Sequence, residues 1–566
     1  MPLPEIPATP ASTPWRRDLL LLLLAFGLLY GFRLGSYPLA PGDEGRYAEI
    51  PREMVASGDW ITPRLNGVNY FEKPPLVYWL TALCLTLFGD SEWSMRATPA
   101  AAAVAGVLLT YAAGRRLYGR EAGLIAALVL GTCLLYYSIG HIMLLDMVMS
   151  VLMAATLFCF ILALQEAPGR RRRWLFYGLY ASAALATMTK GLIGFLVTGA
   201  VMFLWLLVFN QWKRLRPLYL PSGVALFLAI TAPWHILAAL HNETWAHRYF
   251  VYEHWERFTT PAASRPGPWY YFIGIIVAGL IPWTGFLWPA LRDALKGGWA
   301  RRKENADAWF FVTWAVFIFL FFSKSHSKLA PYILPIFPAL ALLTGHWLAQ
   351  AVAGRVEPAR LRAGFRVFSF FCGLLGVALI AIVVKPTIAK MPPEQATMLR
   401  IEALILAAIV IVGGVIAPAR AKLKGARAGL AAIGLTMAAF YTVFQFAAPA
   451  LNKPSTKDLA LKVKAEAQPG DRVLHYHEFF HDFLFYAERL VDVVAFTGEL
   501  QLDEDAAARA SGRFMDEATF RQTWDGPTRV WAVARKKDIA ELFGDATFRY
   551  HLIAESRGHY LFSNRP

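Results

Sequence analysis

The chain has 566 residues, 57% of them apolar and 17% charged, with a net charge of +16. So large an apolar share excludes a water-soluble enzyme along most of the length and assigns it to a bilayer. The basic residues fall in short clusters between apolar segments, which is the pattern of membrane orientation and not a nucleic-acid footprint, so no nucleic-acid partner is expected.

Each membrane span needs roughly 20 apolar residues. Segments of that kind lie near 18–37, 94–113, 121–140, 147–165, 174–189, 191–210, 217–239, 270–291, 308–323, 329–349, 366–385, 401–418 and 428–449. The first lacks a small-x-small cleavage pattern and is expected to stay as an anchor. Cys84, Cys133, Cys159 and Cys372 all lie inside apolar segments without metal-ligand spacing, so neither a disulfide framework nor a zinc–thiolate site is expected. Leu76–Phe88 has only 13 residues after two prolines and reads as an interfacial or re-entrant helix. With thirteen spans and a cytoplasmic N-terminus, all seven strong basic clusters, from Arg16-Arg17 to Arg420–Arg427, share the cytoplasmic side; counting Leu76–Phe88 as a span separates six of them from the first.

The stretch from Asp43 to Glu92 carries eight acids against four bases on the opposite side. Dense polar groups beside a span cost free energy unless solvated or paired, which makes this loop the leading functional candidate. Tyr47, Ile50, Met54 and Val55 fall on one helical face; Glu44, Glu49, Arg52 and Glu53 fall on the others, toward an outward cavity. Pro51 allows either one helix or two short turns. Asp43 opens this helix, where the ordinary use of an aspartate is an N-cap. Lys73, held between Glu72 and Pro74-Pro75, suits a lipid phosphate; the ordinary alternative is snorkelling.

Asp146 begins a span from the same side and is a second acid near the site. The loop His241–Trp269 holds Glu253-His254-Trp255-Glu256-Arg257-Phe258, in which Arg257 either clamps a phosphate bidentately or pairs with a neighbouring glutamate. Glu72 and His254 have the ligand chemistry for a divalent metal, although nothing in the reading requires a cofactor. In Ser323–Tyr332, Lys324 and Lys328 run against the positive-inside trend, and an anionic partner is the simplest cause. Tyr332 follows Pro331 in a proline-bent span that opens a cavity for its phenol; the alternative is an aromatic-belt tyrosine. Residues 451–566 change character to a small soluble α/β domain, leaving residues 1–450 as the membrane domain, with interfacial helices at about 40–90.

Four motifs carry a family resemblance: Asp43-Glu44-x-Arg46-Tyr47, Glu72-Lys73-Pro74-Pro75, Glu253-His254 with Arg257-Phe258, and Ser325-x-x-Lys328-Leu329-x-x-Tyr332. With them the chain resembles the GT-C-type membrane glycosyltransferases that use polyprenyl-phosphate sugars, a class that includes dolichyl-phosphate-mannose protein mannosyltransferases. Within that class it is similar to the bacterial lipid A 4-amino-4-deoxy-L-arabinose transferases. The resemblance implies a polytopic α-helical inner-membrane enzyme with a periplasmic C-terminal domain. It further implies transfer of aminoarabinose from undecaprenyl phosphate to lipid A phosphate, a modification conferring resistance to cationic peptides such as polymyxin. By position it matches Asp43 to the family's catalytic carboxylate and Lys73, Arg257 and Tyr332 to the groups around the donor phosphate; beside these, Asp146 and Glu44 are further catalytic candidates, and Arg46, Tyr70, Lys324 and Lys328 further substrate-binding candidates. An Asp-x-Asp is absent from the first loop, so an obligatory metal is not implied. The alternatives are a protein or other lipid glycosyltransferase using the same carrier, or a lipid flippase. Polar groups clustered at one lip, without an internal repeat, favour the enzyme.

Overall fold

The computed structural model describes residues 15–256, 266–386, 393–498, 500, 502 and 505–566. Each of the thirteen expected segments carries a helix. In chain order the helices are α1 (Trp15–Gly31), α2 (Asp43–Ser57) and α3 (Leu76–Phe88) of the first loop, α4 (Glu92–Tyr118), α5 (Arg120–Thr132) with α6 (Leu134–Ile139), α7 (Leu145–Gln165), α8 (Arg170–Lys190), α9 (Ile193–Phe209) and α10 (Leu220–His241). There follow α11 (Tyr271–Gly279), α12 (Thr284–Ala294), α13 (Ala306–Lys324), a 3-10 turn at Ala330–Ile336 leading into α14 (Phe337–Val352), α15 (Pro358–Val384), α16 (Arg400–Lys424) and α17 (Ala426–Leu451).

Among the described residues, eight helices are long and apolar enough to cross a membrane by themselves. The protein is thus an integral membrane protein. The other expected spans fall short for local reasons: α1 and α9 have 17 residues each, α5 breaks at Cys133, and α8 begins with four arginines. The segment 270–291, read as one span, is instead two helices bent by 108°. Pro282 cannot donate a backbone hydrogen bond, and the Ile281 carbonyl at the break accepts one from Leu134 N at 2.9 Å.

The basic clusters gather at one end of this bundle. Arg120 pairs with Asp18 at 2.7 Å, Arg116 with Glu166 at 2.8 Å, Arg427 with Glu121 at 2.8 Å, and Arg360 with Asp293 at 3.2 Å. Arg214 meets Asp307 at 3.4 Å, and its carbonyl accepts from Arg172. These pairs tie the loops at that end into one charged rim.

The last hundred residues form a six-stranded sheet of order β5-β4-β3-β6-β8-β7, counting the loop hairpin Arg64–Leu65 and Val68–Asn69 as β1 and β2. β3 (Arg472–Tyr476) pairs parallel with β4 (Asp492–Val494) and β6 (Val530–Arg535), and β4 with β5 (Phe514–Met515). β8 (His559–Ser563) is antiparallel to both β6 and β7 (His551–Glu555). This sheet shares a hydrophobic core with the first loop: Ile50, Met54, Leu65 and Tyr70 pack with Leu459, Phe483, Val493 and Trp531. A Cβ added at Gly45 would lie 2.4 Å from the Asp482 backbone nitrogen, so only glycine allows this approach. The Asn66 carboxamide reinforces the seam, donating through Nδ2 to the Val491 carbonyl and accepting at Oδ1 from Val491 N, both at 2.9 Å.

That seam corrects the expected orientation of α2. The helix is continuous through Pro51, and Glu44, Glu49 and Glu53 are buried instead of facing an open cavity. Val55, read as part of the apolar face, is exposed, because the C-terminal domain covers the polar flank.

Candidate functional site

The helical residue that carries the site is Asp43, the first of α2. Gly42, at φ 90°, occupies the N-cap position without a side-chain cap bond, so Asp43 is not the cap. Its carboxylate pairs with Arg46 one turn on and stays 45% exposed, whereas Arg46 is buried and donates to the Tyr70 hydroxyl at 3.1 Å. The Arg46 guanidinium also lies 5.1 Å from the Tyr47 ring centre. Asp43, Glu72 and Asp146, from three separate segments, all act electrostatically on the Tyr47 phenol, which burial and these three carboxylates hold well above its ordinary pKa. Three acids from separate segments therefore lie within electrostatic reach of one half-buried ring.

Asp146, in the first turn of α7, pairs with Lys190 at 2.6 Å. The Lys190 ammonium in turn lies 4.7 Å from the Tyr332 ring centre. Lys190 ends α8, and a cation there complements the helix dipole. It is the residue sequence reasoning missed. The available signal was the same one read at Lys324 and Lys328: a cation at the end of the bundle opposite the basic rim. Lys73 donates from Nζ to the Glu72 carbonyl at 2.7 Å, as the rigid Pro74-Pro75 pair predicts for a held ammonium.

The other expected residues divide. Glu44, expected among the catalytic groups, has a different job. Its oxygens accept from Arg96 Nε and Nη2, both at 2.9 Å, from Ala40 N at 2.8 Å and from Met143 N at 3.0 Å. A carboxylate this saturated has no lone pair left for substrate. It braces the turn before Asp146 against the turn that carries Asp43. Arg96, also unforeseen, is fully buried. Lys328 is buried with Nζ donating to Ser325 O at 2.6 Å, whereas Lys324 is exposed at the end of α13. Arg257 lies outside the described residues, as does the side chain of His254. Among the described residues no three His, Cys, Asp or Glu side chains group to hold a metal.

Away from the exposed carboxylate, burial dominates. Glu49 accepts from Arg52 at 2.5 and 2.7 Å, yet desolvation outweighs that pair and pushes its pKa up to about 8. A folded pKa above the unfolded value of 4.5 means the native state binds the extra proton. The stability contributed is full below pH 4.5 and is lost as pH rises through about 8. Thermal unfolding between pH 5 and 9 is expected to show this decline, and Glu49→Gln is expected to flatten it.

A family model described as dolichyl-phosphate-mannose-protein mannosyltransferase matches residues 72–237. The undecaprenyl phosphate-alpha-4-amino-4-deoxy-L-arabinose arabinosyl transferase of Edwardsiella ictaluri is 33% identical over 64% of this chain and 65% of that protein. Its counterpart in Aeromonas salmonicida is 34% identical over 64% of each. The matched region therefore spans just under two thirds of these relatives' length. The crystal structure of ArnT from Cupriavidus metallidurans bound to undecaprenyl phosphate superposes with a TM-score of 0.85 over 98% of each chain, at 28% identity. Its apo form gives 0.83 over 97% of this chain and 98% of that one. A polytopic helical membrane domain followed by an α/β domain is thus the fold of this protein.

Proposed function

We propose that this chain is a lipid-to-lipid glycosyltransferase. It moves 4-amino-4-deoxy-L-arabinose from undecaprenyl phosphate to a lipid A phosphate at the periplasmic face of the inner membrane. The observation that carries the reading is the arrangement around Tyr47, where an exposed aspartate stands among acids from three segments, beside a cation–phenol pair formed by Lys190 and Tyr332. The homologues and the bound carrier in the related crystal structure support it.

In this reaction the bond from the sugar's anomeric carbon to the carrier phosphate breaks, and its electron pair leaves with the polyprenyl phosphate. An acceptor phosphate oxygen forms the new bond. Lys73, Arg257 and Tyr332 hold the charge that develops on the leaving phosphate in a partly dry site. Lys190 sits against the Tyr332 ring and fixes Asp146, which positions that wall of the site. The acceptor phosphate is largely ionised at neutral pH, so Asp43 is not needed as a base; it orients the sugar or stabilises positive charge at the anomeric carbon.

Purified protein incubated with undecaprenyl-phosphate aminoarabinose and lipid A is expected to yield modified lipid A by mass spectrometry. Lys73→Met is expected to lower donor turnover by roughly 10- to 100-fold, the worth of one charge-assisted hydrogen bond. Movement of lipid across vesicles without donor consumption points to a flippase. Transfer to a peptide hydroxyl points to a protein glycosyltransferase.

A further inference from the structure

Of the Asp43-Glu44-x-Arg46-Tyr47 motif, Tyr47 alone has no hydrogen-bond partner for its side chain among the described residues. Asp43 pairs with Arg46, Arg46 also donates to Tyr70, and Glu44 accepts from Arg96. Tyr47 is half-buried, and its hydroxyl oxygen is open to solvent. The ring, by contrast, is held. The Arg46 guanidinium lies 5.1 Å from its centre, and the Tyr78 ring lies 6.2 Å away. Val77, Met143, Leu145 and Val148 pack against it, so α2, α3 and the start of α7 together fix its position.

A tyrosine anchored by its ring usually finds a partner for its hydroxyl. Here that partner has to come from outside the described residues, and the surroundings define its chemistry. Asp43, Glu72 and Asp146 act on the phenol from three segments, and together with burial they keep it protonated. The hydroxyl is therefore a fixed donor among groups that, as carboxylates, only accept. An anion brought to this spot meets three carboxylates, while the cations Arg46 and Lys190 are already engaged by Asp43 and Asp146. A neutral hydroxyl fits instead, because it accepts from the phenol and donates to a carboxylate in the same stroke.

A polyprenyl tail carries no hydroxyl, and a phosphate is an anion. The sugar of the donor carries hydroxyls on adjacent ring carbons. We propose that Tyr47 is a sugar-binding residue, its phenol donating a hydrogen bond to a ring hydroxyl of the donor's sugar, an inference that rests on reading the donor as a polyprenyl-phosphate aminoarabinose. The sugar then lies between Tyr47 on one side and the cations that receive the carrier phosphate on the other, with Asp43 beside both.

The test uses the full chain in nanodiscs, as wild type and as Tyr47→Phe, which keeps the ring and removes only the hydroxyl. Three donors are compared: undecaprenyl-phosphate aminoarabinose and its analogues lacking the sugar's 2-hydroxyl or 3-hydroxyl. Tyr47→Phe is expected to lower kcat/KM for the intact donor roughly five- to tenfold, the worth of about one neutral hydrogen bond. One of the two analogues is expected to lose the same factor on the wild type and nothing further on Tyr47→Phe, which a merely structural role for the ring does not produce. Inhibition by bare undecaprenyl phosphate is expected to be the same for both proteins. Additive losses with both analogues, or inhibition by the bare carrier weakened as much as donor use, overturn the proposal. Isothermal titration of the same donors separates the two readings. Binding that couples to Tyr47 without any transfer sinks the proposed function and leaves a glycolipid-binding site; transfer without coupling sinks the Tyr47 assignment alone; neither transfer nor coupling sinks both.

Discussion

Replacing Arg96 by methionine is expected to destabilise the protein by about 3–5 kcal/mol, the cost of leaving a buried partner charge uncompensated. The guanidinium has five N–H donors, and all five are engaged. Nε and Nη2 reach Glu44, Nη1 reaches the Leu34 and Tyr37 carbonyls at 3.1 and 2.9 Å, and Nη2 reaches the Pro38 carbonyl at 3.0 Å. Its face also stacks 3.9 Å above the Tyr37 ring. Methionine takes the donor from three carbonyls and strips the Glu44 carboxylate of its cation and of two of its four hydrogen bonds. Lysine, with three donors on a mobile stem, rescues only part of this set. Thermal unfolding in detergent checks the loss. The double variant Arg96→Met/Glu44→Met is expected to be less damaged than the sum of its singles, since the charge stranded by the first change is absent. An additive result shows that the pair is not coupled.

Asp43→Asn is expected to cut transfer by roughly 10²- to 10³-fold, the scale for removing one group aimed at transition-state charge. The fold is expected to be almost unaffected. Asp43 is 45% exposed, and ion pairs that open to solvent contribute about 0–1 kcal/mol. The two variants therefore separate cleanly: one loses the scaffold and the other loses the chemistry. Steady-state transfer rates beside unfolding midpoints read both quantities on the same preparations. Wild-type transfer by Asp43→Asn removes this carboxylate from the reaction.

The apolar segments were legible because a span of roughly 20 apolar residues needs no tertiary information to be recognised. The short apolar helix after Pro74-Pro75 and the change of composition near Leu451 were legible in the same way. Asp43, Lys73 and Asp146 stood out as candidates because a charge beside a span is expensive wherever it sits. What could not be read was partnership. Arg96 and Glu44 are 52 positions apart, and Lys190 and Asp146 are 44 apart. No periodicity relates such pairs, so Glu44 read as free to act when it is fully bonded, and Lys190 was passed over. The bend at Ile281–Pro282 was hidden for a similar reason, because an apolar run has the same composition whether it crosses or turns back.

The seam between the first loop and the C-terminal sheet has a consequence for biosynthesis. Asn66 and Asn69 close on Val491 and Asp505, and Leu39 closes on Tyr486, partners more than 400 residues downstream. Ribosomes deliver those partners last. The segment bearing Asp43 is therefore made early but waits for nearly the whole chain before the contacts that fix it can form.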